Sequence, residues 1–140
     1  MSENVTRDLA SITSEEDFAD RAYALTESWR SNGADAAAIG PVLSFIESHP
    51  DWDLGSPGEL VHFVEQFAGP VYEEKLLASL RRKPTTHTLW MLNRVINGEA
   101  DAKRSQALIQ VMVDIASARD SSSAVVDEAR GFLDFQTKTH

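Results

Sequence analysis

Glu59-x-x-His62 is the pairing in this chain that comes nearest to a catalytic motif. Residues three apart share a helix face, and Glu-x-x-His is the ligand unit of di-iron helical bundles. Such centres need two copies of the unit and further glutamates from other helices. No second Glu-x-x-His occurs, although Glu65 lies three residues beyond His62. A solvated helix face is therefore the preferred reading, and no metal is expected. His49, Asp51 and Asp53 also crowd a short stretch, but those residue types are common in polar loops. No serine sits in a Gly-x-Ser-x-Gly elbow, and no Gly-rich loop is built for phosphate. The chain contains no cysteine, which excludes thiolate nucleophiles, disulfides and cysteine-ligated zinc. The expectation is a protein without a catalytic centre or cofactor.

The charge points elsewhere. Residues 1–74 carry three basic and fifteen acidic side chains, a net charge of −12. Residues 75–140 carry ten and seven, a net +3, so the whole chain stands at −9. A field so lopsided bears on partners more than on fold: it repels nucleic acid and anionic membrane and attracts basic surfaces. Glu15, Glu16, Asp17 and Asp20 crowd what reads as the first turns of a helix. Part of that complements the helix dipole, but four acids exceed what capping needs. Asp51-Trp52-Asp53 has the composition of an interface anchor, aromatic in the middle and charged at the rim. The equal alternative is that Trp52 folds back onto the core while the acids keep a loop soluble. Glu73 and Glu74 carry the same ambiguity at the start of another helix. These nine residues are the candidates for a protein-binding surface. Arg81-Arg82-Lys83, with Arg94, Lys103 and Arg104, is the main basic concentration. With a pI of about 4.8, it reads as a helix C-terminus and solvated faces rather than a nucleic-acid site. Arg94 lies inside an apolar segment, so its guanidinium is expected to reach a carboxylate or backbone carbonyls.

The elements that must position these groups are helical throughout. Thr13 with Glu16 matches a capping box, followed by Phe18, Ala22, Leu25 and Trp29 at helical spacing and a stop at Gly33. Residues 34–48 read as a second helix, with Pro41 as a kink or the true start. Residues 49–55 are a loop. Ser56-Pro57-Gly58-Glu59 reads as a helix start, with Ser56 as N-cap and Pro57 in the first turn. Gly69-Pro70 separates that helix from the one holding Tyr72, Leu76, Leu77 and Leu80. The run from Thr86 or Thr88 to Asn97 is apolar on more than one side and should be central. Helices around Leu108 to Ile115 and Val126 to Leu133 complete the chain. The expectation is an all-α fold, one domain over 1–140 with a loose segment at 1–12. About seven antiparallel helices would form either a compact bundle or a short HEAT-like helical stack. No apolar signal core and no membrane-length stretch is present, so a soluble cytoplasmic protein is expected.

One stretch adds a resemblance. It comprises Gly58 to Glu65, Tyr72 to Leu80, Arg82-Lys83-Pro84-Thr85 and above all Thr88-Leu89-Trp90-Met91-Leu92-Asn93-Arg94-Val95-Ile96-Asn97. This stretch resembles small all-helical bacterial immunity proteins, which are encoded beside polymorphic toxins, including those of contact-dependent growth inhibition. The resemblance covers residues 58–98. It implies a non-enzymatic cytoplasmic protein that binds the C-terminal domain of a cognate toxin and neutralises it. Pro84, Thr85, Trp90, Asn93 and Arg94 would be family structural residues; the toxin-contacting residues vary with the toxin and are not implied. The acidity is compatible with that role, because many such toxins are nucleases and nuclease surfaces are often basic. The alternatives are a helical-repeat adaptor that docks another protein and, third, a metal-dependent enzyme centred on His62.

Overall fold

Apolar residues three and four positions apart recur along the chain, and each such stripe must be covered by a neighbour. The computed structural model describes residues 2–139. Among them are eight α-helices, one 3₁₀ turn and no strand. The helices are α1 (Ser2–Ala10), α2 (Glu15–Ser31), α3 (Ile39–Ser48) and α4 (Glu59–Glu65), then α5 (Pro70–Arg82), α6 (Thr86–Gly98), α7 (Ala102–Ser117) and α8 (Ser123–Thr139). The 3₁₀ turn, Ala36–Ala38, leads into α3. Its N-cap is Asp35, whose carboxylate accepts the Ala37 N–H at 3.0 Å. Pro41 stands in the first turn of α3, where its missing N–H costs nothing.

Helix α3 is the hub. Ile39, Val42, Leu43 and Ile46 are fully buried, and α3 packs against α1, α4, α5 and α6. On the far side α8 lies against both α6 and α7. A helix covered by several neighbours, with further helices layered beyond them, is the arrangement of a compact bundle. Each fully buried Leu or Ile contributes about 1.5–3 kcal/mol, so the α3 stripe is a principal source of stability. No helix among the described residues is long and apolar enough to cross a membrane.

Three sequence expectations need correction. Residues 1–12 are not a loose segment. Ser2–Ala10 is helical, and Val5, Leu9 and Ile12 are buried. The Asp8 carboxylate also accepts the Trp29 Nε1–H at 2.9 Å, tying α1 to α2. The cap of α2 is Ser14, not Thr13: the Ser14 hydroxyl accepts the Asp17 N–H at 3.3 Å. The start of α4 is displaced as well. Gly58 is its N-cap and Glu59 its first helical residue, while the Ser56–Pro57 peptide is cis and precedes the helix. Gly58 has φ +95°, and a Cβ there would run into the Leu54 carbonyl oxygen. A tight turn over Leu54 thus takes precedence over the local Ser-Pro start signal. By contrast Pro70 does open α5, and Thr85 caps α6 in a reciprocal box with Thr88.

Polar contacts pin the helices together. Glu47 of α3 is buried, accepting from the Ser79 hydroxyl at 2.7 Å and from Arg82 Nε and Nη2 at 2.9 and 2.6 Å. Arg94 of α6 does reach a carboxylate, forking onto Glu65 of α4 at 2.7 and 2.9 Å. Arg104 of α7 pairs with Glu73 of α5 at 2.7 Å. Gln136 of α8 donates to the Asn93 and Asn97 side-chain oxygens at 2.7 and 2.8 Å. Arg82, Arg94 and Arg104 thus each serve a link between helices.

Candidate protein-binding surface

The Ser14 cap fixes where α2 begins and thereby fans Glu15, Glu16 and Asp17 around its first turn. All three are exposed, as is Asp20 one turn on. Their charge favours the helix N-terminus, where unpaired N–H groups concentrate positive potential. Glu15 does more. Its Oε2 accepts the backbone N–H of Asp53 at 2.6 Å, across 38 positions of sequence. Asp53 in turn closes a local turn by accepting the Gly55 N–H at 3.0 Å. The loop from His49 to Gly58 is therefore held against the acidic end of α2.

Trp52 sits between the two alternatives that its sequence context allowed. It is half-buried, packed against the core edge rather than projecting freely. Its ring stacks on His49 with centroids 3.9 Å apart and meets Phe45 edge-on at 6.0 Å. Phe45 stacks at 5.9 Å on Phe18 of α2, so an aromatic ladder backs the loop. Burial holds the His49 imidazole below its ordinary pKa, which keeps it neutral at pH 7. Asp51 and Asp53 flank this ladder, and both are exposed.

The nine sequence candidates therefore divide. Glu15, Glu16, Asp17 and Asp20 share the start of α2, and the Glu15 contact joins that turn to Asp51, Trp52 and Asp53. Glu73 and Glu74 stand on another element, at the start of α5, where Arg104 already engages Glu73. Glu74 is exposed. His62 is exposed, with Nδ1 3.9 Å from Glu65, but Arg94 takes both oxygens of that carboxylate. No group of three or more His, Cys, Asp or Glu that could hold a metal occurs among the described residues.

Two residues outside the candidate set are also notable. Glu47 is a buried carboxylate within an apolar stripe. Burial pushes its pKa up, but the Arg82 and Ser79 hydrogen bonds and the charges of Arg82 and Lys83 more than reverse this, leaving it below its usual value. His87 of α6 is largely buried and its Nε2 has no hydrogen-bond partner. Burial lowers its pKa, against the opposing effects of the Pro57 carbonyl and Asp53. It is their long-range neighbours that set both environments.

No family model, curated protein or solved structure matches this chain.

Proposed function

We propose that this protein binds and inhibits a basic protein, as bacterial immunity proteins do with their cognate toxin domains. The contact surface would be the first turns of α2 together with the 49–58 loop. The observation that carries this reading is the Glu15–Asp53 hydrogen bond, which joins two acidic segments far apart in sequence. It leaves Glu16, Asp17, Asp20 and Asp51 exposed on the joined elements. Like charges held close together raise the free energy of the unbound surface, and a cationic partner relieves that repulsion. The long-range part of the attraction acts before contact, so it should appear mainly in the association rate. Trp52, half-buried beside the acids, adds aromatic area of the kind that anchors interfaces.

The partner proposed is a nuclease-type toxin domain, because a protein that handles a polyanion carries a basic cleft. An acidic inhibitor seated in that cleft excludes the nucleic acid by charge and by bulk. The protein would act in the cytoplasm, where such a toxin finds its substrate. Residues 58–98, which carry the resemblance to immunity proteins, supply α4 to α6 and so belong to the scaffold.

The test takes as partner the C-terminal domain of any large toxin-like protein found encoded beside this chain. Association is followed by stopped-flow fluorescence over a series of salt concentrations. Reversing Glu16, Asp17 and Asp20 to lysine, with or without Glu15→Lys, should slow association by about tenfold or more and flatten its salt dependence. An unchanged rate and salt slope, there and in Asp51→Lys, would falsify the proposed surface.

A further inference from the structure

Between α1 and α3 runs a groove of about 630 Å³ whose floor is apolar. Leu9, Ile12 and Phe45 form that floor, and Pro41 and His49 mark positions along the α3 wall. The lining positions follow helical spacing on both sides. On α3, Pro41, Ser44, Phe45, Ser48 and His49 lie on one face; on α1, Thr6, Leu9 and Ala10 do the same. From Pro41 to His49 the wall is about 12 Å long, or two helical turns. That is the size and shape of a cleft that receives the apolar face of a short helix.

Charge says which helix. Both walls run into the acidic surface. Thr13, at the end of the α1 side, is followed at once by the Ser14 cap and the acidic turn of α2. His49, at the end of the α3 side, stacks on Trp52 between Asp51 and Asp53. One end of the groove therefore lies beside the segments that carry Glu16, Asp17 and Asp51, which the Glu15–Asp53 contact holds together and where Arg21 also reaches the Ser11 hydroxyl.

We propose that the α1–α3 groove is the docking site for a basic amphipathic helix of the partner. Its leucine-like side chains enter the groove, and its lysines or arginines meet the acidic rim. This rests on the reading of the acidic surface as the partner's landing site, and deepens it by naming what lands there. Leu9, Ile12 and Phe45 are already mostly shielded. The apolar area removed from water on docking thus comes chiefly from the partner's side chains. Charge would set the rate of arrival, and the groove would set the residence time.

Two synthetic peptides of equal length and charge separate these contributions. One places leucines at helical spacing among lysines; the other has serine at every leucine position. Binding is read by fluorescence anisotropy, and its location by amide shifts in NMR spectra. The Lys/Leu peptide should bind the native protein about tenfold or more tightly than the Lys/Ser peptide, shifting the amides of Leu9, Ile12 and Phe45. Ala10→Trp and Ser44→Trp each fill the groove from an exposed lip on opposite walls. Either should abolish the leucine advantage while leaving Lys/Ser affinity unchanged; having both guards against one variant misfolding. No leucine advantage, or an advantage that survives both tryptophans, overturns the groove. The acidic reading then still stands if lysine at Glu16, Asp17 and Asp20 weakens both peptides. If that reversal leaves both affinities unchanged, the groove and the acidic reading fall together.

Discussion

Removing the Arg82 side chain tests how the bundle tolerates a buried carboxylate. In the native protein the Glu47 side chain is 11 % exposed and Arg82 is 55 % exposed. The pair is thus unequal: one partner depends on the other for solvation, while the second can return to water. Arg82→Ala leaves Glu47 with the Ser79 hydroxyl alone. Breaking a fully buried pair typically costs about 3–5 kcal/mol. The exposure of Arg82 lets water reach the vacated position, so a cost of about 2 kcal/mol is expected here. Glu47→Gln should cost less, about 1 kcal/mol, because it loses charge-assisted bonds but strands no charge. In urea denaturation followed by circular dichroism, Arg82→Ala should lower the midpoint by roughly 1 M with unchanged slope. The pH dependence supplies the sharper check. The native Glu47 pKa is held below its ordinary value of 4.5. Its contribution is therefore present above about pH 4.5 and lost as the pH falls through the lowered folded value. In Arg82→Ala burial is no longer countered by Arg82, so the folded pKa rises from its native position. The variant's penalty is then greatest at neutral pH and fades on acidification. A stability gap that stays constant from neutral pH to about pH 4 would refute this reasoning.

Four further outcomes are expected. Gly58→Ala should destabilise by at least about 2 kcal/mol, from its positive φ and the collision with the Leu54 carbonyl. Gly131→Ala, mid-helix in α8 with open space around it, should stabilise by about 0.5–1 kcal/mol; paired denaturation curves check both. His87, with its pKa lowered by burial, should make the native protein lose stability as the pH falls below the unfolded value of about 6.5. Thermal melts of His87→Leu should show a flatter dependence between about pH 7 and pH 5, with His49 accounting for part of what remains. Thr85→Ala should cost about 1 kcal/mol by removing the capping box of α6, measured by urea denaturation.

Local signals made much of the fold legible. Pro70 after Gly69, the basic end of α5 and the dense apolar run of α6 each placed an element near its true bounds, since each acts within a few residues. What stayed hidden depends on distant partners. The α1 stripe is only Val5, Leu9 and Ile12, interrupted by Arg7 and Asp8, and it becomes a helix face because α3 and Trp29 cover it. Ser56-Pro57 carries a sound start signal, yet the turn at Gly58 moved the cap two residues on. The same division holds at the candidate surface. Its residue types could be read from the chain, as could the need of Arg94 for a carboxylate or backbone carbonyls. That Glu65, 29 positions away, meets that need could not be read, nor could the Glu15 contact across 38 positions.

The packing of α1 on α3 also has a consequence during synthesis. The Val5–Leu9–Ile12 stripe leaves the ribosome well before its main cover, α3, whose last residue is Ser48. At roughly 5–20 residues per second, that interval is about two to eight seconds. Until then α1 can lean on α2 and the 3₁₀ turn as each emerges, through contacts such as the Asp8–Trp29 hydrogen bond. This stripe is thus committed late, and it stays open to capture by chaperones until α3 arrives.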